Sequence, residues 1–569
     1  MMRRFQGIGA APGIAIGQAV IWRREAAVLE EPRTLGPEAE LARLWPALEE
    51  TRRQLRDLAG AVAARAGEKE ARIFQAHLLL IDDPLLMREI KSNLARMSAE
   101  EAVRGAVVHL AEKFEALEDN YLRERAADIR DVGQRLIGNL SGSSKVAPES
   151  SGAGILVARN VTPSDTALLD CGQTLAIVTE EGGSTGHAAI LARALNLVAV
   201  AGVKDVLSHV RDGDWLVVDG ATGELLVDPD EETLDRWRRR MDEGRLERER
   251  LASLRELPAV TPDGFRIGLE ANIADPGEAG PALAAGAEGV GVFRTEYLFV
   301  NRRMPPSEDE QFEAYREVLS KMAPRRVVVR TMDIGGDKEV ACWRLPEEPN
   351  PALGMRGVRL SFARIEDFRC QLRALVRAAD AGNLAILLPM ITGVEEVRRA
   401  RALIHEIHGE SIPLGIMIET PAAALLAGEL AQEADFFSIG TNDLIQYVLA
   451  ADRMSQFAGS LYQPFHPAVL RLMNYVALVA RQSGKRVAVC GEMAADPLAT
   501  PLFIAMEMDE LSMSPAAIPA VKDAIRGSTK ASATVLLNRT LKLGSAAEIV
   551  ELLESFCQWR NQSECSPEW

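Results

Sequence analysis

The chain has 569 residues, of which 47% are hydrophobic and 26% are charged, and these proportions are typical of a globular protein with more than one domain. Its net charge of −17 argues against binding to nucleic acid or to an anionic membrane surface, because both require clustered lysine and arginine. The six cysteines show no zinc-ligand spacing, and no segment approaches the run of about 20 apolar residues that a membrane helix needs. We therefore expect a soluble, cytoplasmic protein with reduced thiols and no membrane insertion.

The N-terminal part of the chain begins with β-like residues and continues with helical ones. Residues 5–22 alternate and are rich in Ile, Val and Gly, which predicts a pair of strands. From about 36 to 140, apolar residues recur at three- and four-residue spacing, which predicts an antiparallel helical bundle inserted after these strands. Within it, Ser98 and Glu101 have the spacing of a capping box at the start of a helix.

Beyond a polar loop at 141–152, short β segments alternate with helical stretches and predict a compact α/β unit. One of these stretches, EEGGSTGHAAILARAL at 180–195, places His187 in the first turn of a helix that follows several glycines. A helix N-terminus stabilises a phosphate, so His187 is a candidate phosphoryl acceptor. The same histidine also begins an apolar stripe, and on its own it fits a polar residue at the edge of a core.

The next segment, 230–258, is dominated by charge and predicts a solvated helix that links two domains. From about 259 onward, eight β-like segments are each followed by a helical stretch, which predicts a closed (β/α)8 barrel. The segments are FRIGLEANI, GVGVFRTEY, RVVVRTMDI, LAILLPMI, LGIMIETPA, FFSIGTNDL, RVAVCGEM and ELSMSP. The fold class is therefore multidomain α/β, with a helical insert in the first domain and a barrel in the second.

Polar residues cluster at the C-terminal ends of these β segments, where barrel enzymes place their active sites. Several basic residues at this rim predict a pocket for a compact polyanion, because guanidinium groups match phosphate and carboxylate oxygens: Arg294, Arg330, Lys338, Arg356 and Arg453. Glu419 and Asp443 follow successive strands and form a donor set suited to Mg²⁺, although pairing with the neighbouring arginines is the alternative. Cys490 ends another strand and is either a small buried hydrophobe or a proton donor.

Together these stretches resemble enzyme I of the sugar phosphotransferase system, a phosphoenolpyruvate–protein phosphotransferase. The resemblance rests on GGSTGHAAILARAL, GAEGVGVFRTEYLF, RTMDIGGDK, NPALGMRGVR, GIMIETPAA, DFFSIGTNDLIQY, VCGEMAADP and DELSMSP, and it follows the family's order along nearly the whole chain. It implies Mg²⁺-dependent transfer of the phosphoryl group of phosphoenolpyruvate (PEP) to a histidine. The group then passes to the phosphocarrier protein HPr, as the first step of sugar uptake.

The resemblance also implies a role for each candidate residue. His187 would be phosphorylated, Glu419 and Asp443 would bind Mg²⁺, and Cys490 would protonate the enolpyruvate carbon. The substrate-binding residues would be Arg294, Arg330, Lys338, Arg356, Asn442 and Arg453. The helical insert would bind HPr, and the barrel would form a homodimer.

The implied domains are a phosphohistidine domain at 1–229 with the helical insert at about 25–145, a linker at 230–258, and the PEP-binding barrel at 259–569. Because His187 and the barrel rim belong to different domains while HPr binds elsewhere, we expect a hinge motion about the linker. Three positions depart from the family pattern: Gly186 replaces a serine, Met355 an aromatic residue and Ala495 a glycine.

Two alternatives remain beside this interpretation. A pyruvate phosphate dikinase or PEP synthase shares the histidine and barrel modules, but it also needs a large ATP-binding domain, for which the chain has no segment. A regulatory paralogue that acts on a specialised HPr is suggested only by Gly186. The sequence does not identify the HPr or the sugars downstream, and it leaves open the roles of His77 and His466, for each of which a structural helix or cap histidine is the favoured interpretation.

Overall fold

The computed structural model describes residues 2–22, 36–116, 120–142, 153–183, 186–195, 197–300, 302, 304–336, 340, 342–343, 345, 348–409, 412–453, 455 and 459–562. The chain divides into two compact units, Met1–Leu246 and Glu247–Trp569. Among the described helices, none is long and apolar enough to cross a membrane.

The first unit contains one mixed eight-stranded sheet, with the strand order β1-β8-β7-β3-β4-β5-β6-β2. The strands are β1 Arg3–Gln6, β2 Ile8–Ala11, β3 Ile14–Trp22, β4 Gly154–Ala158, β5 Thr174–Thr179, β6 Val198–Ala201, β7 Trp215–Asp219 and β8 Glu224–Val227. Strands β3 to β6 are parallel, and β7 pairs antiparallel with β3.

The prediction of a strand pair at 5–22 is wrong, because this stretch forms three strands and none of them pairs with another. Only Gly7 separates β1 from β2, which is too short for a hairpin loop. Both edges of β3 are occupied, by β4 and β7, while β1 pairs with β8 and β2 with β6.

The helices of the first unit include the predicted bundle, α1 to α5. They are α1 Pro37–Ala66, α2 Glu68–Ile81, α3 Pro84–Asn93, α4 Ala99–Glu115, α5 Asn120–Ser141, α6 Pro163–Leu168, α7 His187–Ala194, α8 Val206–His209 and α9 Glu231–Ser253. The capping box of Ser98 and Glu101 at the start of α4 is confirmed. Leu191 of α7 packs with Phe74 of α2 and Leu55 of α1, so the bundle buries one side of the helix that His187 begins.

Helix α9 is the charged segment expected at this position. Its first turns are anchored by Leu234 and Trp237, which pack against Val217 and Leu226 of the sheet, and near its end Arg250 donates to both carboxylate oxygens of Asp523. The rest is largely exposed, and the boundary between the two units falls within this helix, after Leu246.

The second unit is a closed parallel barrel, and all eight predicted β segments are strands of it. They are β9 Gly268–Ile273, β10 Val290–Arg294, β11 Arg326–Arg330, β12 Asn383–Leu388, β13 Leu414–Ile418, β14 Phe436–Gly440, β15 Arg486–Cys490 and β16 Glu510–Met513, and β16 closes the barrel by pairing with β9. The helices are α10 Ala279–Ala284, α11 Glu308–Met322, α12 Val358–Ala363, α13 Ile365–Ala378, α14 Val394–His408, α15 Pro421–Leu425, α16 Ala427–Glu433, α17 Thr441–Leu449, α18 Pro467–Gln482, α19 Thr500–Ala505, α20 Ile518–Arg526, α21 Lys530–Thr540 and α22 Ala546–Gln562.

The two-residue period of the strands explains which polar side chains reach the barrel interior. Val292, Val328 and Met417 belong to a small core inside the barrel, distinct from the larger core between barrel and helices. Two residues after each of these three along the chain come Arg294, Arg330 and Glu419. Since residues i and i+2 share a face, an apolar layer inside the barrel is followed by a charged layer at its C-terminal end.

Candidate active site

One pocket at the C-terminal end of the barrel brings together seven of the residues singled out in the sequence. They are Arg294, Arg330, Glu419, Asn442, Asp443, Arg453 and Cys490. Arg356 lies directly behind this group, in contact with Asp443. Lys338 lies outside the described residues. The pocket therefore combines three arginines, two carboxylates, an amide and a thiol at one opening.

Arg330 is held by acidic neighbours at the base of the pocket. Its Nη2 donates to Glu296 Oε1 at 2.5 Å, and its Nη1 lies 3.2 Å from Asp333 Oδ2. Burial lowers the pKa of Arg330, but the charges of Glu296, Asp333 and Glu419 outweigh this effect and raise it overall. The guanidinium is thus permanently charged and fixed in orientation, as required of a phosphate ligand.

Arg356 is even more enclosed, with 1% of its surface exposed. Its Nη2 donates to both carboxylate oxygens of Asp333, at 3.1 and 3.2 Å, and its Nη1 donates to Asp443 Oδ1 at 3.0 Å. Nη1 also donates to the Tyr447 hydroxyl at 3.2 Å, and that hydroxyl donates to the carbonyl of Ala352 at 2.5 Å. Arg356 therefore connects the loop that precedes α12 to the start of α17.

The carboxylates of Glu419 and Asp443 fit a divalent cation. Burial, together with the charges of Asp443 and Asp333, raises the pKa of Glu419 to about 8. In this buried layer the carboxylates of Glu296 and Asp333 contact the guanidinium of Arg330, and those of Asp333 and Asp443 contact the guanidinium of Arg356. A cation beside Glu419 would stabilise the ionised form of its buried carboxylate, and oxygen donors are those that Mg²⁺ prefers. Within the described residues, no group of three or more His, Cys, Asp or Glu side chains forms a complete metal cage, so remaining ligands would come from substrate and water.

Cys490 belongs to the small apolar core inside the barrel, with 5% of its surface exposed. Burial raises the pKa of its thiol to about 11, although the hydrogen bond from Ser438 acts in the opposite direction. The thiol is consequently protonated at neutral pH and has a proton to donate. This pKa lies well above the ordinary thiol value of about 8.5.

Asn442 and Arg453 complete the wall of the pocket on the side of α17. Asn442 Oδ1 accepts a hydrogen bond from the backbone N–H of Glu492 at 3.0 Å, which ties the start of α17 to the loop after β15. The backbone N–H of Arg453 donates to Gln446 Oε1 at 3.3 Å. These contacts fix the side chain of Asn442 and the backbone of Arg453 at the rim.

His187 is the first residue of α7 in the other unit, and its side chain lies outside what the structure describes. The preceding residue, Gly186, occupies the N-cap position without a side-chain cap. A cavity beside α7 is lined by Gly182, Gly183 and Gly186 together with Asp128 and Thr166. The glycines leave open space around the N-terminus of this helix.

The other two histidines considered in the sequence, His466 and His77, lie outside the barrel pocket and contact groups of the surrounding fold. His466 is the N-cap of α18, and its Nδ1 accepts from the Ala468 N–H at 3.2 Å, which confirms a cap histidine. His77 is fully buried in the bundle, where its Nε2 lies 3.3 Å from Asp128 Oδ1 and its Nδ1 lies 3.9 Å from Asp131 Oδ2.

Three further residues of this site were not predicted from the sequence. Ser438 donates a hydrogen bond to Cys490, and the Tyr447 hydroxyl accepts one from Arg356. Asn272 lines the pocket. The two-residue period along β14 places Ser438 on the inward face, so this signal was present in the sequence. No local pattern indicates Tyr447, because its contact depends on a loop about 90 residues earlier in the chain.

Comparison with known proteins gives matches along almost the entire chain. Family models of PEP-utilising enzymes match in three parts: the N-terminal domain over residues 6–125, the mobile domain over 151–223 and the PEP-binding domain over 248–530. The phosphoenolpyruvate-protein phosphotransferase of Geobacillus stearothermophilus is 41% identical over 565 residues, covering 97% of this chain and 98% of that protein. Proteins of the same name from Priestia megaterium and Staphylococcus aureus are 40% and 39% identical, and each alignment covers 98% of this chain and at least 99% of the relative.

Proposed function

The chain belongs to the enzyme I family of phosphoenolpyruvate-protein phosphotransferases, and we propose that it transfers the phosphoryl group of PEP to its own His187 and then to the phosphocarrier HPr. The relatives named above are phosphotransferases, and they support this reaction over that of a dikinase or synthase. The transfer to HPr and the role in sugar uptake rest on the resemblance of the sequence.

The single observation that carries the proposal is the composition of the barrel pocket. Arg294, Arg330 and Arg453 line it together with Glu419 and Cys490. PEP is a small trianion whose phosphate and carboxylate both suit guanidinium groups. The side-chain amide of Asn442 adds a neutral hydrogen-bond donor to the charged guanidinium donors of the pocket.

In the proposed reaction the bond between phosphorus and the enol oxygen breaks while a bond between phosphorus and a nitrogen of His187 forms. The arginines bind and orient the phosphoryl oxygens, which lowers the cost of bringing a nucleophile towards them. The electron pair of the broken bond remains on the enolate. The Cys490 thiol then donates its proton to the enolate carbon, which yields pyruvate, and the thiolate recovers a proton from solvent.

Glu419 and Asp443 are the residues that would hold Mg²⁺, with Asn442 beside them. When bound, the ion would supply positive charge to the phosphoryl oxygens and to the developing enolate. The residues of the chain itself would set the orientation of the substrate, and the burial of Cys490 would keep its thiol protonated until the enolate forms.

The proposal extends to the domains and partners expected from the sequence. His187 would serve PEP at the barrel and HPr at the helical bundle, with the segment 230–258 as the hinge between a phosphohistidine domain at 1–229 and a barrel domain at 259–569. Dimerisation through the barrel and a cytoplasmic location remain predictions.

The proposal is tested by incubating the purified chain with ³²P-labelled PEP and Mg²⁺. We expect label that is acid-labile and base-stable, as phosphohistidine is, and that passes to added HPr. In His187→Ala the label should be absent, and label that survives there would show that another residue is the acceptor. If the parent chain takes up no label, the interpretation as a regulatory paralogue is favoured instead.

A matched control uses a histidine that is outside the proposed chemistry. His466 caps α18 and is 3.2 Å from a backbone N–H, so His466→Asn should retain both labelling and transfer to HPr. Loss of labelling in both variants would indicate general damage to the fold.

A further inference from the structure

One carboxylate in the barrel contacts two guanidinium groups. Asp333 is fully buried and lies three residues after Arg330, just beyond the end of β11. Its Oδ2 is 3.2 Å from Arg330 Nη1 and 3.1 Å from Arg356 Nη2, and its Oδ1 is 3.2 Å from the same Nη2. A single side chain thus fixes the planes of two arginines.

The contacts of Arg356 extend this connection to a proposed metal ligand. Arg356 Nη1 is 3.0 Å from Asp443 Oδ1, and Nη2 is 3.4 Å from Asp443 Oδ2. A continuous row of alternating charges therefore runs from Arg330 through Asp333 and Arg356 to Asp443. All four are buried, with exposed fractions of 6%, 0%, 1% and 7% in that order, so their charges interact more strongly than they would in water.

The backbone around Arg356 leaves it little freedom to move away from Asp333. Gly357 has a φ of +57°, and a Cβ at this position would lie 2.8 Å from Met390 Cβ and 3.4 Å from Asp333 Oδ1. Met390 in turn donates its N–H to Glu419 Oε1 at 2.5 Å. The loop that carries Arg356 is therefore packed directly against the acidic layer.

We propose that Asp333 is a positioning residue that couples the binding of PEP to the binding of the metal ion, because it joins the phosphate-binding Arg330 to the Arg356–Asp443 pair. This inference rests on the proposed function. Substrate oxygens would bind at Arg330, at one end of this row of charges, and a cation would bind at Asp443, at the other end. Binding at either end therefore changes the electrostatic potential at the other. Thermodynamic linkage makes this effect reciprocal.

Replacement of Asp333 by Asn removes the charge while nearly preserving the shape of the side chain. Hydrogen bonds to charged groups are strong, so we expect the KM for PEP to rise about 10- to 100-fold. The rise should exceed the fall in kcat, because Asp333 orients a group that binds the ground state and the transition state alike. Asp309→Asn is the matched control, since the Asp309 side chain is 84% exposed and pairs with Arg377 at 2.9 Å, at the surface of the same unit.

The coupling itself is measured by binding, with no turnover. In a full-length His187→Ala background, Mn²⁺ affinity is followed by electron paramagnetic resonance with and without PEP. We expect PEP to tighten Mn²⁺ binding, and we expect this factor to fall about fivefold or more when Asp333→Asn is added. Thermal unfolding of each variant reports whether the fold is retained.

The outcomes separate this inference from the proposed function. Failure of the parent chain to take up label from PEP would refute the function. A labelled parent together with a folded Asp333→Asn variant of unchanged coupling would refute only the role of Asp333. If Asp333→Asn does not fold, Arg356→Lys breaks the same row by removing the two-pronged contact with Asp333, and unchanged coupling in that variant would also overturn the inference.

Discussion

The Ser438 hydroxyl donates a hydrogen bond to Cys490 Sγ at 3.4 Å, inside the barrel and beneath the arginines of the pocket. The sulfur also lies 3.5 Å from the carbonyl oxygen of Ile439, to which the thiol can donate. Ser438 and Cys490 occupy neighbouring parallel strands, and both side chains point inward. The thiol is thus held at a fixed position with its proton retained.

Cys490→Ala is expected to slow pyruvate formation by about 100-fold or more, because a positioned general acid contributes a factor of about 10² to 10⁴. Pyruvate production would be measured with excess HPr as the phosphoryl acceptor. Cys370→Ala is the control within the same unit, since Cys370 is half-buried and its sulfur accepts a hydrogen bond from Gln311, outside the pocket. An alanine variant that folds and forms pyruvate at the parental rate would exclude Cys490 as the proton donor.

The same thiol should show an unusual dependence on pH. Burial raises the pKa of Cys490 to about 11, so its alkylation by iodoacetamide should increase only at strongly alkaline pH. Ser438 stabilises the thiolate by donating to it, and Ser438→Ala should therefore move the labelling profile to still higher pH. A profile that moves to lower pH would contradict this interpretation of the hydrogen bond.

Gly186→Ser is expected to be tolerated and slightly stabilising. Gly186 has φ −61° and ψ 151°, an ordinary N-cap conformation, and a Cβ there would come no closer than 3.7 Å to another described atom, the carbonyl oxygen of Gly183. A serine hydroxyl can cap the first turn of α7, which is worth a few tenths of a kcal/mol over glycine. The expected result is a small rise in the thermal midpoint of the first unit with phosphorylation of His187 retained.

Gly182→Ser is the contrasting variant, because Gly182 has a φ of +103°, where a residue with a side chain is strained. It should lower the thermal midpoint, by an amount corresponding to about 1 kcal/mol or more. If Gly186→Ser instead abolished phosphorylation, the departure from the family serine would be a requirement of this chain's chemistry.

The barrel could be predicted from the sequence, whereas the pairing of the first strands could not. In several barrel strands a short apolar run ends at a polar residue or is followed directly by one, as at Arg294, Arg330 and Glu419, and parallel strands bring those ends together. Strand β3, by contrast, pairs with β7, about 200 residues further along the chain, and nothing within residues 5–22 indicates that partner. The contacts of Asp333 were missed for a similar reason: two arginines 26 residues apart converge on it only after the loop before α12 has folded back.

Glu270 is expected to make the stability of the barrel depend on pH. It lies on β9, and its Oε2 has no hydrogen-bond partner among the described residues. Burial and the charge of Glu510 raise its pKa from 4.5 to about 8. Folding therefore favours the protonated acid, so the stabilisation is complete below about pH 4.5 and is lost as the pH rises to about 8.

Glu270→Gln mimics the protonated acid and should remove this dependence. Relative to the parent, the variant should gain about 1.4 kcal/mol per pH unit across that interval. Differential scanning calorimetry at pH 6 and pH 9 would measure the difference in thermal midpoint. Glu406→Gln is the control, because Glu406 is exposed and paired with Arg369, and it should give a profile parallel to the parent. Parallel profiles for Glu270→Gln and the parent would show that Glu270 remains ionised when folded.

Leu79→Asp is expected to impair transfer to HPr without impairing self-phosphorylation. Leu79 on α2 is 75% exposed and Leu85 on α3 is 59% exposed, which places two large apolar side chains at the surface of the bundle proposed to bind HPr. A charge at a buried apolar contact opposes association, and we expect at least a tenfold loss in the rate of transfer at low HPr concentration. Labelling with ³²P-PEP in the absence of HPr should be unchanged.

Val535→Asp, on α21 of the barrel unit, introduces the same charge at a 41% exposed position and should leave both steps intact. Equal transfer by the Leu79 and Val535 variants would assign HPr binding to another surface.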